Sequence, residues 1–520
     1  MKRFNLINKT IAAVLISGIM LVSCADLAVD NENSPKASDV LASSDDIVSL
    51  IDTGALQWWQ ATQNTYVQGV MMGSDYYSCS GGNFDMRNRG NEPRLAYDNT
   101  PTASGDTKAI SEDPWYGFYS SLTQANDVLK LIDAGTVLKS NVAGVSDADF
   151  TKFVTAEAQF LQAISLANLA IYFDKAFIVD EKSDLANLNF STYQEVTTAA
   201  LAKFDLAKTT LSTAPAAMTM DRFNGLSLSK AQFTALINTF AAWTHVMSAR
   251  TSAENDAVNW ATVATLTASG IDFDFNPIGD DNFWFSYPVL YHNLGNWVRV
   301  DQRIVKGWDN TAPYPWPNNT NSLPPATTGD KRVDVTADAA DNGDFDFFYD
   351  GASVPFRADR GYYWFSNYKS QRYSYHSFFT TAEGAMPYFL KAENDLLRAE
   401  ALVRTTGGDK ATAATLVNNS RVGRGGLTGL TSSSTTQQFL DAIFYERQTE
   451  LYLSGWITGL CDMRRTNRLQ AGTPTQMPVP AKELLVLKEE LYTFGGVVGK
   501  TVAQTKAPIQ SLKVIKNEMK

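Results

Sequence analysis

Residues 388–401 read Tyr388-Phe389-Leu390-Lys391-Ala392-Glu393-Asn394-Asp395-Leu396-Leu397-Arg398-Ala399-Glu400-Ala401. Phe389, Ala392, Leu396, Ala399 and Val403 fall three or four residues apart, the period of one face of an α-helix. Charged groups share that helix: Glu393, Arg398 and Glu400, joined downstream by Glu446, Arg447 and Glu450. Their spacings permit i,i+3 and i,i+4 pairs along a helix and ion pairs between helices. Carboxylates among apolar neighbours persist only when paired and hydrogen-bonded. The stretch therefore predicts packed helices bridged by guanidinium–carboxylate pairs. Arginines beside these acids would keep them ionised, which favours a structural role over general acid/base work.

Helical spacing continues outward. It recurs over 410–420 and 437–465, where Gly455 and Gly459 interrupt and allow two helices. Upstream it covers 45–72 (Ile47, Ile51, Leu56, Trp59), 115–132, 147–173, 194–211, 229–250 and 260–269. Ser43-Ser44-Asp45 supplies a cap for the first of these. Ala163, Ala167 and Ala170 allow neighbouring helices to approach closely. The expectation is a mainly α fold, helix pairs stacked in the manner of a tetratricopeptide superhelix, although no strict period recurs. An irregular helical bundle fits the same pattern.

Two stretches break it. Residues 272–386 are crowded with Asp, Asn, Gly, Pro and aromatics, as in Asn282-Phe283-Trp284-Phe285, Tyr314-Pro315-Trp316-Pro317 and Gly361-Tyr362-Tyr363-Trp364-Phe365. Residues 73–114 form a second insert of the same kind. Such composition favours turns, short strands and ordered loops.

The N-terminus reads as an address. Lys2, Arg3 and Lys9 precede an apolar run from Ile11 to Val22 that is too short to span a bilayer, and it ends in Leu21-Val22-Ser23-Cys24. That ending resembles a bacterial lipobox, in which cleavage precedes the cysteine and its thiol is diacylated. Residues 1–23 are then a signal peptide, Cys24 the lipidation site and 24–44 an acidic tether. Loss of the three basic residues takes the formal charge from −11 to −14. An acidic chain is a poor match for nucleic acid, whose recognition runs on basic patches. Three cysteines and three histidines exclude a disulfide scaffold and argue against a His-rich metal site. The remaining 45–520 reads as one domain, divided into 45–271 with its insert, a ligand-facing 272–386, and 387–520.

The 388–401 stretch resembles the segment that marks the SusD/RagB family of Bacteroidetes lipoproteins. Val417-Asn418-Asn419-Ser420-Arg421-Val422-Gly423-Arg424-Gly425-Gly426 is similar to its Val-Asn-x-x-Arg-x-Arg-Ala-Gly stretch, with Gly423 and Gly425 as local variations. Ile443 to Leu451 resembles its Glu-Arg-x-x-Glu-Leu helix; Asp462-Met463-Arg464-Arg465 and Pro478 to Leu484 resemble the family segments C-terminal to that helix. Trp115, Tyr119, Ala125-Asn126, Ala156 to Leu161 and Tyr172-Phe173-Asp174 agree in the N-terminal half. The resemblance implies an outer-membrane, cell-surface lipoprotein that is not an enzyme. It would bind glycan, or peptide in RagB-type members, and pass it to a SusC-like TonB-dependent transporter. In this family the loops carry specificity.

Sugar binding asks for flat aromatic faces against C–H surfaces and polar groups for the hydroxyls. Both inserts offer this mixture. Position within the resemblance nominates Asp75, Arg87 and Tyr97, and the later insert adds Trp284, Trp297, Trp316 and Trp364. Most of these aromatics should pack inward, with two or three exposed. Trp316 is the foremost, because Pro315 and Pro317 stiffen a loop able to hold its ring out. No cofactor is implied. Asp338, Asn342 and Asp344 invite a calcium reading, but the EF-hand pattern fails at Ala340 and Tyr349, so a solvated acidic loop is preferred. A secreted helical glycoside hydrolase would need two carboxylates about 5–5.5 Å or about 6.5–9.5 Å apart, and no motif nominates the pair.

Overall fold

Twenty-one of the 26 residues in the helix Asp147–Tyr172 are buried, and this helix organises the N-terminal half. The structure is a computed structural model that describes residues 43–79, 82–292, 298–317, 322–336, 345–351, 366–373 and 382–497. Residues 48–497 belong to one compact unit. Cys24, Trp297, Trp364 and the acidic loop with Asp338, Asn342 and Asp344 lie outside the described residues.

The chain is mainly α. In order, α1 is Ser44–Thr62, α2 Tyr66–Gly73, α3 Gly105–Asp133, α4 Asp147–Tyr172, α5 Tyr193–Ser212, α6 Lys230–Met247 and α7 Trp260–Ala268. After the loop-rich middle, with the short α8 Tyr287–His292 and α9 Gln302–Trp308, come α10 Lys391–Arg404, α11 Lys410–Arg421, α12 Thr436–Thr449 and α13 Thr458–Arg465. Each helix from α3 to α6 packs against the next, and α6 and α7 carry the stack onto α10. Side-chain caps fix the starts. Ser104 and Ser146 accept from the N3 amides of α3 and α4, and reciprocal capping boxes begin α5 (Thr192, Glu195), α6 (Ser229, Gln232) and α12 (Thr435, Gln438).

Two boundaries differ from expectation for local reasons. The 45–72 segment is two helices, because Asn64 turns its side chain back to accept from the Thr65 amide at 2.6 Å. Helix α3 begins ten residues before Trp115 and runs through Pro114. Proline removes the donor that the Ile110 carbonyl would receive, and the Tyr172 hydroxyl donates to that carbonyl at 2.8 Å instead. The break expected near Gly455 is real: Leu453, Gly455 and Ile457 all have positive φ.

The bridges expected among α10, α12 and α13 form two buried clusters. Arg447 donates through Nε to both Asp462 oxygens at 2.8 Å and through Nη2 to Glu393 at 2.9 Å. Arg465 holds Glu400 at 2.8 and 2.9 Å and Asp462 at 3.0 Å. Arg332 reaches Asp330 and Glu446 at 2.7 Å and Glu450 at 3.0 Å. Arg398 is the exception and makes no ion pair among the described residues. The acids divide electrostatically. Burial would raise Glu400, but Arg465 and Arg404 outweigh it and hold the acid at about 2. Glu450 is likewise lowered. For Glu393 and Glu446 burial outweighs Arg447 and Arg332 and pushes them up, so the arginines do not dominate everywhere.

Candidate functional site

The two loop-rich inserts meet. Tyr77 and Ser78 pair antiparallel with Val300 and Arg299, and Arg303 donates to the Asp75 carbonyl at 3.0 Å. Away from that strand pair the inserts share a row of aromatic rings.

The later insert supplies most of the row through alternation. Asp280 Oδ1 accepts from the amides of Asn282, Phe283 and Trp284 at 2.8–3.0 Å, forming a tight turn. From there burial alternates residue by residue up to the start of the next helix. Trp284 and Ser286 point inward and are buried, while Phe283, Phe285 and Tyr287 face out, Phe283 being 54% exposed. Trp284 packs on Trp59 at 5.7 Å, and the Trp59 indole donates to the Phe285 carbonyl at 3.0 Å. Helix α8 then places Tyr287 and Tyr291 four residues apart on one face, stacked at 5.9 Å and 29°. Phe285 meets Tyr287 edge-on at 4.8 Å.

Phe84 of the early insert closes the row, 4.9 Å from Tyr291. Its backbone is left-handed, φ 54° and ψ 32°, and so is that of Asp85 at φ 59°. Consecutive non-glycine residues there cost about 1–3 kcal/mol each and need external support. Asp85 receives it from Arg89 at 3.0 Å and from the Thr107 hydroxyl at 3.0 Å. The Phe84 amide donates to Asp106 at 2.9 Å. Gly69 on α2 completes the seat: a β-carbon there would sit 2.4 Å from the Phe84 carbonyl oxygen. Polar groups flank the row. Gln60 donates to the Phe283 carbonyl at 3.3 Å, and Asn64, next to the Gln63 that receives the Tyr287 amide, donates to Asp113 at 3.1 Å. Burial, with Glu112 nearby, lifts Asp113 to about 6.

The residues nominated by sequence fall around this row or beneath it. Arg87 is exposed on the turn after Phe84. Tyr97 is buried, its hydroxyl bonded to the Thr107 carbonyl at 2.9 Å and the Ser111 hydroxyl at 2.8 Å, and Arg89 lies over its ring at 5.4 Å. It braces the Phe84 turn from below and presents no ring to solvent. Burial raises its phenol well above the usual range. Asp75 is buried too, paired with Arg94 and accepting from Gln470 at 2.9 Å. Trp284 is the inward anchor described above. Trp316 is only 2% exposed, so its flanking prolines do not hold the ring out. The described tryptophans are covered because so large an apolar surface is worth more inside; Phe283, Phe285 and Tyr287 take the outward positions, while Tyr291, 8% exposed like Trp284, is covered too. Phe84, Phe285, Tyr287 and Tyr291 were not singled out by sequence, although the odd-numbered spacing of Phe283, Phe285 and Tyr287 carries the signal. Among the described residues no group of three or more His, Cys, Asp or Glu could hold a metal ion, and no helix is long and apolar enough to cross a membrane.

No protein-family model matches the sequence, and no curated protein does. Solved structures do match. A SusD superfamily protein from Parabacteroides distasonis superposes with a TM-score of 0.60 at 12% identity, covering 85% of this chain and 98% of its own. The chain has the SusD-like fold. A SusD-like carbohydrate binding protein from Bacteroides vulgatus matches with a TM-score of 0.53 at 15% identity, over 81% of this chain and 83% of its own. Surface glycan-binding protein A from Bacteroides uniformis gives 0.53 at 17% identity, over 85% and 98%. At such identities the SusD-like likeness concerns the fold. The aromatic row is a property of this chain's own inserts.

Proposed function

We propose that this SusD-like chain binds glycan at the outer surface of the cell, through Phe84, Phe285 and Tyr287, backed by the buried ring of Tyr291, with Phe283 beside them. The observation that carries the reading is the row itself: half-buried Phe84, Phe285 and Tyr287 from two inserts, linked through the buried ring of Tyr291, braced at a strained turn and flanked by carboxylate and amide groups. Aromatic faces desolvate sugar C–H surfaces, and the flanking acceptors and donors orient hydroxyls. Two proteins of the same fold, described as a carbohydrate binding protein and a surface glycan-binding protein, support it. The chain binds and does not cleave. Acylation at Cys24 tethers it to the outer membrane, and a SusC-like TonB-dependent transporter receives the glycan.

Affinity electrophoresis against a polysaccharide panel tests the binding step. The wild-type protein is retarded by at least one glycan, and Tyr287→Ala and Phe283→Ala each weaken retardation about tenfold, equivalent to about 1.4 kcal/mol. Retardation by no glycan, with binding of peptides instead, refutes the glycan reading, and release of reducing ends refutes the non-enzymatic one. Palmitate labelling lost in Cys24→Ser and co-purification with a transporter test the anchor and the partner.

A further inference from the structure

A cleft of about 490 Å³ is lined from α9, α12, α13 and the turn after α13. That size suits a small ligand, since such sites run from about 300 to 1,000 Å³. None of the aromatic-row residues lines it. Its rim is cationic in a chain whose formal charge is −11: Arg303, Lys306 and Arg468 stand against the one carboxylate of Asp441. Asp441 is already engaged, accepting from Gln437 at 3.0 Å and facing Arg468 at 3.6 Å. Lys306 donates to the carbonyls of Asn310 and Ala312 at 2.7 and 3.0 Å and keeps a third proton. Arg468 lies over the Phe444 ring at 4.0 Å.

An independent feature points to a missing acceptor. Gln448 lines the cleft and is 4% exposed. Arg303 Nη2 donates to its Oε1 at 2.7 Å, which fixes the amide's orientation and leaves Nε2 a buried donor with no partner among the described residues. Arg303 itself places Nε on the Asp75 carbonyl, which fixes its guanidinium at the cleft. The unmade Gln448 donor carries a cost that a ligand oxygen would relieve. Trp308, Phe444 and Tyr445 supply the apolar part of the wall. Asp441 answers only one of the three cations, so a neutral sugar would leave the rim's positive excess unmet, and a bare anion would leave the aromatic wall unused.

We propose that this cleft is a second binding site, specific for a carboxylated sugar of the uronic acid class. Its carboxylate sits among Arg303, Lys306 and Arg468, and its ring lies against the aromatic wall. The site stands independently of the aromatic row.

Isothermal titration of the full chain with D-glucuronate and D-galacturonate tests it, with D-glucose as the neutral isostere and acetate and inorganic phosphate as bare anions. At least one uronate binds ten times or more tighter than glucose, acetate and phosphate, and its affinity falls severalfold between 20 and 200 mM salt, as expected for screened charges, with salt shortening the Debye length to about 8 Å near 0.15 M. Arg468→Gln and Lys306→Gln, both at exposed positions, weaken it at least fivefold with an unchanged near-ultraviolet circular dichroism spectrum. Tyr287→Ala leaves it unaltered. No uronate binding, equal binding of glucose, or acetate or phosphate binding as tightly as the uronate overturns the proposal. So does wild-type affinity in both charge variants, or loss in Tyr287→Ala.

Discussion

Replacing Arg447 by Met should destabilise the protein without touching the ligand surface. Arg447 is fully buried and makes three charge-assisted hydrogen bonds, two to Asp462 and one to Glu393. Methionine fills much of the volume but returns none of them. Asp462 keeps Arg465 at 3.0 Å, whereas Glu393 loses its only ion pair among the described residues while still buried. Breaking a buried pair from one side costs about 3–5 kcal/mol. With an unfolding entropy of about 2.1 cal/mol/K per residue, a unit of about 450 residues changes by about 1 kcal/mol per degree, so Tm falls by about 3–5 °C. The loss should depend on pH. Burial already raises Glu393, and without its guanidinium the acid takes up a proton more readily, which relieves the unpaired charge. Calorimetry at pH 8 and pH 5 should therefore show the larger deficit at pH 8, while glycan retardation of the folded variant stays at the wild-type level. A variant melting within 1 °C of wild type at pH 8, or a deficit of equal size at both pH values, would refute the reasoning.

Gly69→Ala puts a β-carbon 2.4 Å from the Phe84 carbonyl oxygen, so the turn must lift; glycan retardation should weaken about tenfold while the urea midpoint changes little, and unchanged retardation would count against Phe84 as part of the row. Tyr172→Phe strips the Ile110 carbonyl of its substitute donor beside Pro114 and should cost about 1–3 kcal/mol in urea unfolding; a cost near zero would mean that another donor takes its place. Burial, with Arg299 adding, drives the His292 imidazole down to about 3, below the ordinary 6.5, so its contribution is complete above about pH 6.5 and is lost as pH falls from there toward 3. His292→Phe, which keeps an aromatic ring against Tyr77 and Tyr452, should flatten the fall of the urea midpoint between pH 6.5 and 4.5; parallel profiles for the two proteins would disprove it.

Helices are legible wherever one face repeats every three or four residues, because burial of that face is what forms them. Ala163, Ala167 and Ala170 are buried in α4, as their size suggests, and Glu393 and Glu400 of α10 and Glu446 of α12 find guanidinium partners. What escapes the sequence depends on distant parts of the chain. Nothing local says that helix α3 can start before Pro114; Tyr172, 62 residues from Ile110, makes that possible. Arg398 sits in the same motif as its paired neighbours yet has no ion-pair partner among the described residues, since a helical position says which face a charge takes and not what faces it.

The site shows the same divide more sharply. Trp284 and Trp316 draw attention because tryptophan suits sugar, yet the preference of a large indole for burial turns both inward. That outcome still locates the row. With Trp284 and Ser286 buried, Trp284 against Trp59, the alternate residues Phe283, Phe285 and Tyr287 are left to the outer face, and the helical period then stacks the buried Tyr291 on Tyr287. Only Phe84 lies beyond any local rule. Its place next to Tyr291 requires a left-handed backbone, a glycine at 69 and the Asp85–Arg89 pair together. A turn held at such cost is hard to explain as packing alone, since an ordinary turn would connect the same helices without strain. The ring it delivers is the one that joins the two inserts into a single surface.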